Sequence, residues 1–268
     1  MQLLKLILLS IILALIAACA STGSNHTKDN SNHGRKEIAE EADKNSAEMM
    51  NVQLGVGYLR RGKEGDIKNA LKKFKHALEI NPKFALAHSM LANTYDRMGL
   101  FDSAQKHYKL SYKYNNDNPD ITNNYANFLC QRGKYKESIA LYEEVVNNPQ
   151  YKTPASAYEN AGVCAKEGRD QIKAEQFFRK ALEINPKSPN SLYFLMNFYL
   201  ESNNYMKARA FLQRLEQVVN PSAEMLTAGY TIEKALKHND LAENYLQKLQ
   251  KQYPRSKAVQ KIQEENNK

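Results

Sequence analysis

The chain has 268 residues, 42% hydrophobic and 25% charged, with sixteen tyrosines and no tryptophan. Its formal net charge of +9 permits contact with nucleic acid. The lysines are scattered along the chain, however, so the excess reads as solvated surface with attraction for anionic material, and no nucleic-acid partner is expected.

The first residues, MQLLKLILLSIILALIAAC, place one lysine before an apolar run from Leu6 to Ala18. That run is shorter than the roughly twenty residues of a comfortable bilayer span and has the layout of a secretory signal peptide, expected over residues 1–18. An N-terminal membrane-anchor helix is the alternative. The segment Ile16-Ala17-Ala18-Cys19 resembles a bacterial lipobox, which makes Cys19 the expected lipidation site. Ala20 and Ser21 follow where an inner-membrane retention signal would carry Asp, so the resemblance implies an outer-membrane lipoprotein facing the periplasm. Several acyl chains on one residue anchor a protein stably, where a single chain does not. Residues 19–46 are rich in Ser, Asn and Gly and carry no large apolar cluster, which reads as a tether. About 27 flexible residues span on the order of 30 Å.

From residue 47 the chain repeats. FKHALEINPK (from Phe74) returns as FRKALEINPK (from Phe178). A small residue recurs at Ala70, Ala104, Ser138, Ala174, Ala208 and Ala242, with steps of 34, 34, 36, 34 and 34. Four positions after each stands a large residue (Phe74, Tyr108, Tyr142, Phe178, Leu212, Leu246), and three further on Ala77, Ser111, Val145, Ala181, Leu215 and Leu249. A 34-residue period marks a helix–turn–helix unit of the tetratricopeptide type. The expected fold is therefore all-α: a right-handed superhelical array of six such repeats over 47–253, followed by a capping helix or tail over 254–268. Each unit buries its apolar face on its neighbours. First helices carry a bulky–small–bulky pattern, as in Leu91-Ala92 with Tyr95, which allows close helix approach. Gly62, Gly99, Gly133 and Gly168, then Asn203 and Asn239, are expected to end the first helices in the left-handed conformation. Extra residues fall in turns, at GKEGD in the first repeat and near PQYKTP after the third.

Nothing in the chain supports an enzyme. Gly57–Glu64 imitates a phosphate loop but ends in Glu64 where Ser or Thr must hold magnesium, and it lies on a repeat helix instead of after a strand. The six histidines show no metal-ligand spacing, and packing explains His88 best. No metal, cofactor or small-molecule substrate is expected.

Cys130 and Cys164 lie 34 residues apart on first helices of consecutive repeats. Two readings are open: a disulfide stapling repeat three to repeat four, which an oxidising periplasm allows, or two buried thiols packing as small apolar residues.

Two resemblances carry function. The repeats resemble tetratricopeptide arrays, whose inner face is lined by fixed first-helix positions. Those positions give Met49, Val52, Val56 and Leu59 in the first repeat, an apolar stretch. They give Asn93, then Asn123 and Asn127, in the next two. An exposed apolar groove beside polar walls suits a partner, and asparagine both donates to and accepts from an extended backbone. The segment around Ile38 to Ala47, folded back as a cap over the groove, is the other reading. The lipobox, the tether, the repeat count and the segment NNYANFLCQRGKYKES (Asn123 to Ser138), with Gly162-Val163-Cys164, are similar to the PilF/PilW family of type IV pilus biogenesis lipoproteins. That family has glycine where this chain has Ala126. The resemblance implies a pilotin: an outer-membrane lipoprotein that binds the secretin subunit and promotes its localisation and multimerisation. A general repeat scaffold for envelope assembly, serving outer-membrane barrels or peptidoglycan enzymes, is the alternative.

Overall fold

A computed structural model describes residues 46–266. The leader, Cys19 and nearly all of the tether lie outside the described residues. By its internal contacts the chain divides into residues 1–50 and residues 51–268. Within the first unit, the Ser46 hydroxyl accepts the Met49 N–H at 3.4 Å and opens a helix.

The described residues form thirteen helices, which fall into six pairs and a final single helix. The pairs are α1 (Ala47–Arg61) with α2 (Asp66–Ile80), α3 (Ala85–Arg97) with α4 (Phe101–Tyr114), and α5 (Pro119–Gln131) with α6 (Tyr135–Asn147). They continue as α7 (Pro154–Glu167) with α8 (Gln171–Ile184), α9 (Pro189–Glu201) with α10 (Tyr205–Glu216), and α11 (Ala223–Ala235) with α12 (Asn239–Gln252). The last helix is α13 (Lys257–Asn266). From α3 onward each helix packs on the one before it, and first helices of successive pairs also touch, as α3 does α5 and α5 does α7. The architecture is an all-α repeat array.

The recurring ladder of a small residue, a large one and a third inward residue is the core. Ala70, Phe74 and Ala77, and their counterparts in all six second helices, are buried. Where the ladder carries a hydroxyl, that hydroxyl is spent on a neighbouring backbone. Ser111 Oγ donates to the Ala85 carbonyl and Ser138 Oγ to that of Ala126, each at 2.7 Å. A buried hydroxyl without such a partner would cost about 1–3 kcal/mol. Opposite the ladder, small residues on first helices let rings in. A methyl group added at Gly55 would stand 2.3 Å from the Phe74 ring, one at Gly162 2.7 Å from that of Phe178, and one at Gly229 2.5 Å from that of Tyr245.

Helix starts follow local chemistry. Pro119 and Pro189 sit in the first turns of α5 and α9, where a missing N–H costs nothing. Asn118 caps α5 through the Asp120 N–H at 3.0 Å, and Ser188 caps α9 through the Ser191 N–H at 3.3 Å. The longer turn of the first repeat is pinned by Asp66, which is buried at the start of α2. It accepts Arg61 Nε and the Lys63 N–H, each at 2.9 Å. That pairing holds its carboxyl at about 2, well below the usual range.

The left-handed residue between the helices of a pair is Gly62, Gly99 or Gly133 in the first three repeats, as expected. In the last three it is Arg169, Asn203 and Lys237, at φ of 62°, 57° and 63°. Two expectations are thereby corrected: Gly168 and Asn239 do not fill that position. Gly168 is small for a different reason, since a Cβ there would come within 2.9 Å of Tyr135 Cβ. Asn239 already begins α12.

Candidate functional site

The face of the first helices that their partner helices leave uncovered is the candidate site. Its N-terminal half carries the residues expected from the sequence. Met49 is half-buried, in the first unit. Val56 and Leu59 are half-buried against the cluster of Val52, Phe74 and Leu91. Val52 is itself 2% exposed. It is a core residue and offers a partner nothing, which corrects its assignment to the groove.

The asparagines differ among themselves. Asn93 is exposed, and its side chain bonds the hydroxyl of Tyr108 on the second helix behind it. Burial pushes that phenol up to about 12. Asn127, one repeat on, accepts the hydroxyl of Tyr142, the equivalent residue. Its amide N–H groups remain as donors. Asn123 is half-buried with Oδ1 lacking a hydrogen bond, and Ser89 Oγ, 34 residues earlier at the same repeat position, lacks one too.

Cys130 on α5 and Cys164 on α7 are joined sulfur to sulfur, with Cα atoms 5.6 Å apart. Cys164 Sγ also lies 3.3 Å from Ser138 Oγ. The bond ties the polar half of the face to the first helix of the fourth repeat.

The C-terminal half of the face has no counterpart among the residues expected from the sequence. Between α7 and α9 a cavity of about 250 Å³ is lined by Val163, Lys166, Tyr193, Phe194, Asn197 and Phe198. Between α9, α11 and α13 a second, of about 540 Å³, is lined by Tyr193, Asn197, Leu200, Thr227, Thr231 and Ser256 among others. Tyr193 and Asn197 belong to both, so the two run together along the same face. Val163 is 48% and Tyr193 41% exposed, unusual for large apolar side chains. The signal was present: Val163, Asn197 and Thr231 continue the repeat position of Val56, Asn93 and Asn127 once the insertions in the first repeat and after the third are counted. Lys166 Nζ lies 5.7 Å from the Phe194 ring centroid. Glu159 accepts the Ser188 and Ser191 hydroxyls and ties α7 to the start of α9. The face thus offers aromatic pockets with amide and hydroxyl groups between them, a chemistry suited to binding an extended chain.

The tetratricopeptide repeat family matches residues 63–110, 89–153, 155–188, 172–228 and 225–256. The type IV pilus assembly protein PilF of Pseudomonas aeruginosa is 28% identical over 214 residues, 80% of this chain and 84% of that protein. The chain is a PilF/PilW-like tetratricopeptide-repeat protein. The solved structure of PilF from Pseudomonas aeruginosa matches with a TM-score of 0.67 at 27% identity, over 87% of this chain and 99% of that one. That of PilW, described as a widely conserved type IV pilus biogenesis factor, matches with a TM-score of 0.64 at 27% identity, over 81% and 99%. The PilF-like repeats of this chain therefore include both halves of the uncovered face.

Proposed function

We propose that the chain acts in type IV pilus biogenesis as a pilotin. In this reading Cys19 carries the lipid anchor at the periplasmic face of the outer membrane. Residues 20–46 give reach, and the uncovered face of the first helices holds a segment of the secretin subunit. The observation that carries the reading is the likeness to PilF along four fifths of the chain. The face supports it: half-buried Val56 and Leu59, the Asn93–Asn127 wall, and the Val163–Tyr193 pockets suit an extended segment with spaced apolar side chains.

The test is an immunoblot of the secretin in outer-membrane fractions with and without the gene. Loss of the detergent-resistant multimer, with monomer left in the inner membrane, is expected. An unchanged multimer in the outer membrane refutes the pilotin role and leaves the general envelope scaffold. A second arm maps the face. Val56→Asp with Leu59→Asp, and separately Val163→Asp with Tyr193→Ser, each weaken capture of the secretin while circular dichroism stays native. Binding that survives both pairs removes the face from the mechanism.

A further inference from the structure

The turns that join the two helices of each pair lie along one edge of the array, because successive pairs stack with first helix beside first helix. Apolar side chains stand exposed along this edge, Ile67 (46%) and Leu100 (47%) in the first two repeats among them, and most strongly in the fourth and fifth repeats. Ile172 is 71% exposed and Met206 63%, the two highest values among the exposed large hydrophobic residues, and Leu241 is 43% exposed. They come one per repeat, in the first turns of α8, α10 and α12. Burying such residues inside their own repeat would be favourable, so exposure on three consecutive turns calls for a partner.

Basic groups stand beside each. A notch of about 470 Å³ is lined by Lys136, Arg169, Asp170 and Ile172, and one of about 510 Å³ by Arg209, Lys237, His238, Asp240 and Leu241. Lys207 follows Met206 directly, and Lys173 follows Ile172. The carboxylates are partly spent: Asp170 accepts the Lys173 backbone N–H at 3.0 Å, and Glu143 lies 3.4 Å from Lys173 Nζ. Arg209 is committed to Glu233 at 2.6 Å, and Lys207 Nζ lies over the Tyr199 ring at 4.9 Å, so Lys136, Arg169 and Lys237 are the cations this edge presents outward.

The spacing separates two kinds of partner. A protein interface concentrates its energy in a contiguous, dehydrated centre. Here the apolar side chains are single tips one repeat apart, each flanked by Lys or Arg. That pattern suits the headgroup layer of a bilayer, where an apolar tip sinks in and long basic side chains reach for phosphate. We propose that the edge formed by Ile172, Met206 and Leu241 rests on an anionic lipid surface. The uncovered face of the first helices then remains open to a protein partner while the edge is against lipid.

The test uses the full chain bound to vesicles of phosphatidylethanolamine with phosphatidylglycerol. An environment-sensitive fluorophore is placed at Ile172→Cys or Met206→Cys, and at Lys187→Cys in a turn of the opposite edge, with the unsubstituted chain as blank. Emission at 172 and 206 is expected to shift to the blue and to be quenched several-fold more by brominated lipid than emission at 187. Equal emission at both edges overturns the proposal, and so does an equal response to vesicles without phosphatidylglycerol. A shift that appears only when an envelope protein fraction is added also overturns it, by assigning the edge to a protein. The readout compares two edges of one bound chain, whichever segment holds it on the vesicle. Flotation of the unlabelled chain tests the lipid anchor separately, so neither failure mimics the other.

Discussion

Gly55 and Gly57 lie two residues apart in α1, and alanine has opposite effects at them. Alanine favours a helix interior over glycine by about 1 kcal/mol. At Gly57 nothing lies within 4 Å of an added methyl, so Gly57→Ala gains that amount. At Gly55 the methyl would press on the fully buried Phe74 ring, and overpacking of this kind costs about 1–3 kcal/mol. Thermal unfolding should therefore show Gly57→Ala melting above the parent chain and Gly55→Ala below it. Equal shifts would mean that the ring can move. The histidine pair gives a second residue-scale expectation. His88 Nδ1 lies 2.9 Å from His107 Nδ1, and His88 Nε2 donates to the Pro82 carbonyl at 3.1 Å. Burial lowers both, and the neighbouring His88, Lys106 and Lys75 lower His107 further, from 6.5 to about 4. Both imidazoles are harder to protonate folded than unfolded. The unfolded chain thus takes up protons first as pH falls, and stability present above about 6.5 is lost toward about 4. His107→Asn, which keeps a donor toward His88, should flatten the melting temperature against pH across that window. An unchanged slope would place the sensitivity elsewhere.

At the scale of helices, the second helix of every pair was legible because its inward residues recur in phase. A small residue, then an aromatic or Leu, then Ala, Ser, Val or Leu must meet the same kind of neighbour six times. The turns were legible where Gly62, Gly99, Gly133 or Asn203 stood at the left-handed position. Arg169 and Lys237 adopt the left-handed conformation because the stacked helices require it, and their side chains give no hint of it. Val52 was misplaced because position within a repeat says which way a residue faces, but not whether the adjoining second helix covers it. Val163 and Tyr193 hold inner-face repeat positions, but position alone does not say that the neighbouring helices leave them 48% and 41% exposed beside a pocket. The bond between α5 and α7 belongs to this scale as well. Closing a loop of 34 residues restricts the unfolded chain by roughly 3–4 kcal/mol in the chain-entropy account. Replacing both cysteines by serine should lower stability by that order, measured by denaturant titration. Alkylation before reduction should find neither thiol reactive, and two alkylated thiols in the unreduced chain would refute the bond.

For the whole molecule, stability passes from neighbour to neighbour. The core consists of successive clusters, the last joining Leu226, Tyr230, Leu246 and Leu249 to Val259 and Ile262 of α13. Val259 and Ile262 are 4% and 6% exposed, so α13 acts as a lid on the sixth repeat. Ending the chain before Lys257 uncovers that cluster. Hydrogen exchange should then rise in α11 and α12 while the third and fourth repeats stay protected. Uniform loss of protection would show the array to be a single cooperative unit. The likeness to type IV pilus assembly proteins was legible at this scale through the repeat count and the segment Asn123 to Ser138. The edge proposed to meet lipid was not, because a lone isoleucine or methionine in a polar turn carries meaning only once its exposure is known.

The bond between Cys130 and Cys164 also decides how the array yields when it is pulled. A stack held only by neighbour contacts unravels under load from its ends, repeat by repeat. With the two sulfurs joined, the 34 residues between them cannot lengthen, so traction bypasses most of the third repeat and the start of the fourth. An oxidised chain stretched end to end would stop short of the reduced one by roughly 110–120 Å, the extended length of that segment. The middle of the array therefore keeps its shape under tension that would already have drawn out its two ends.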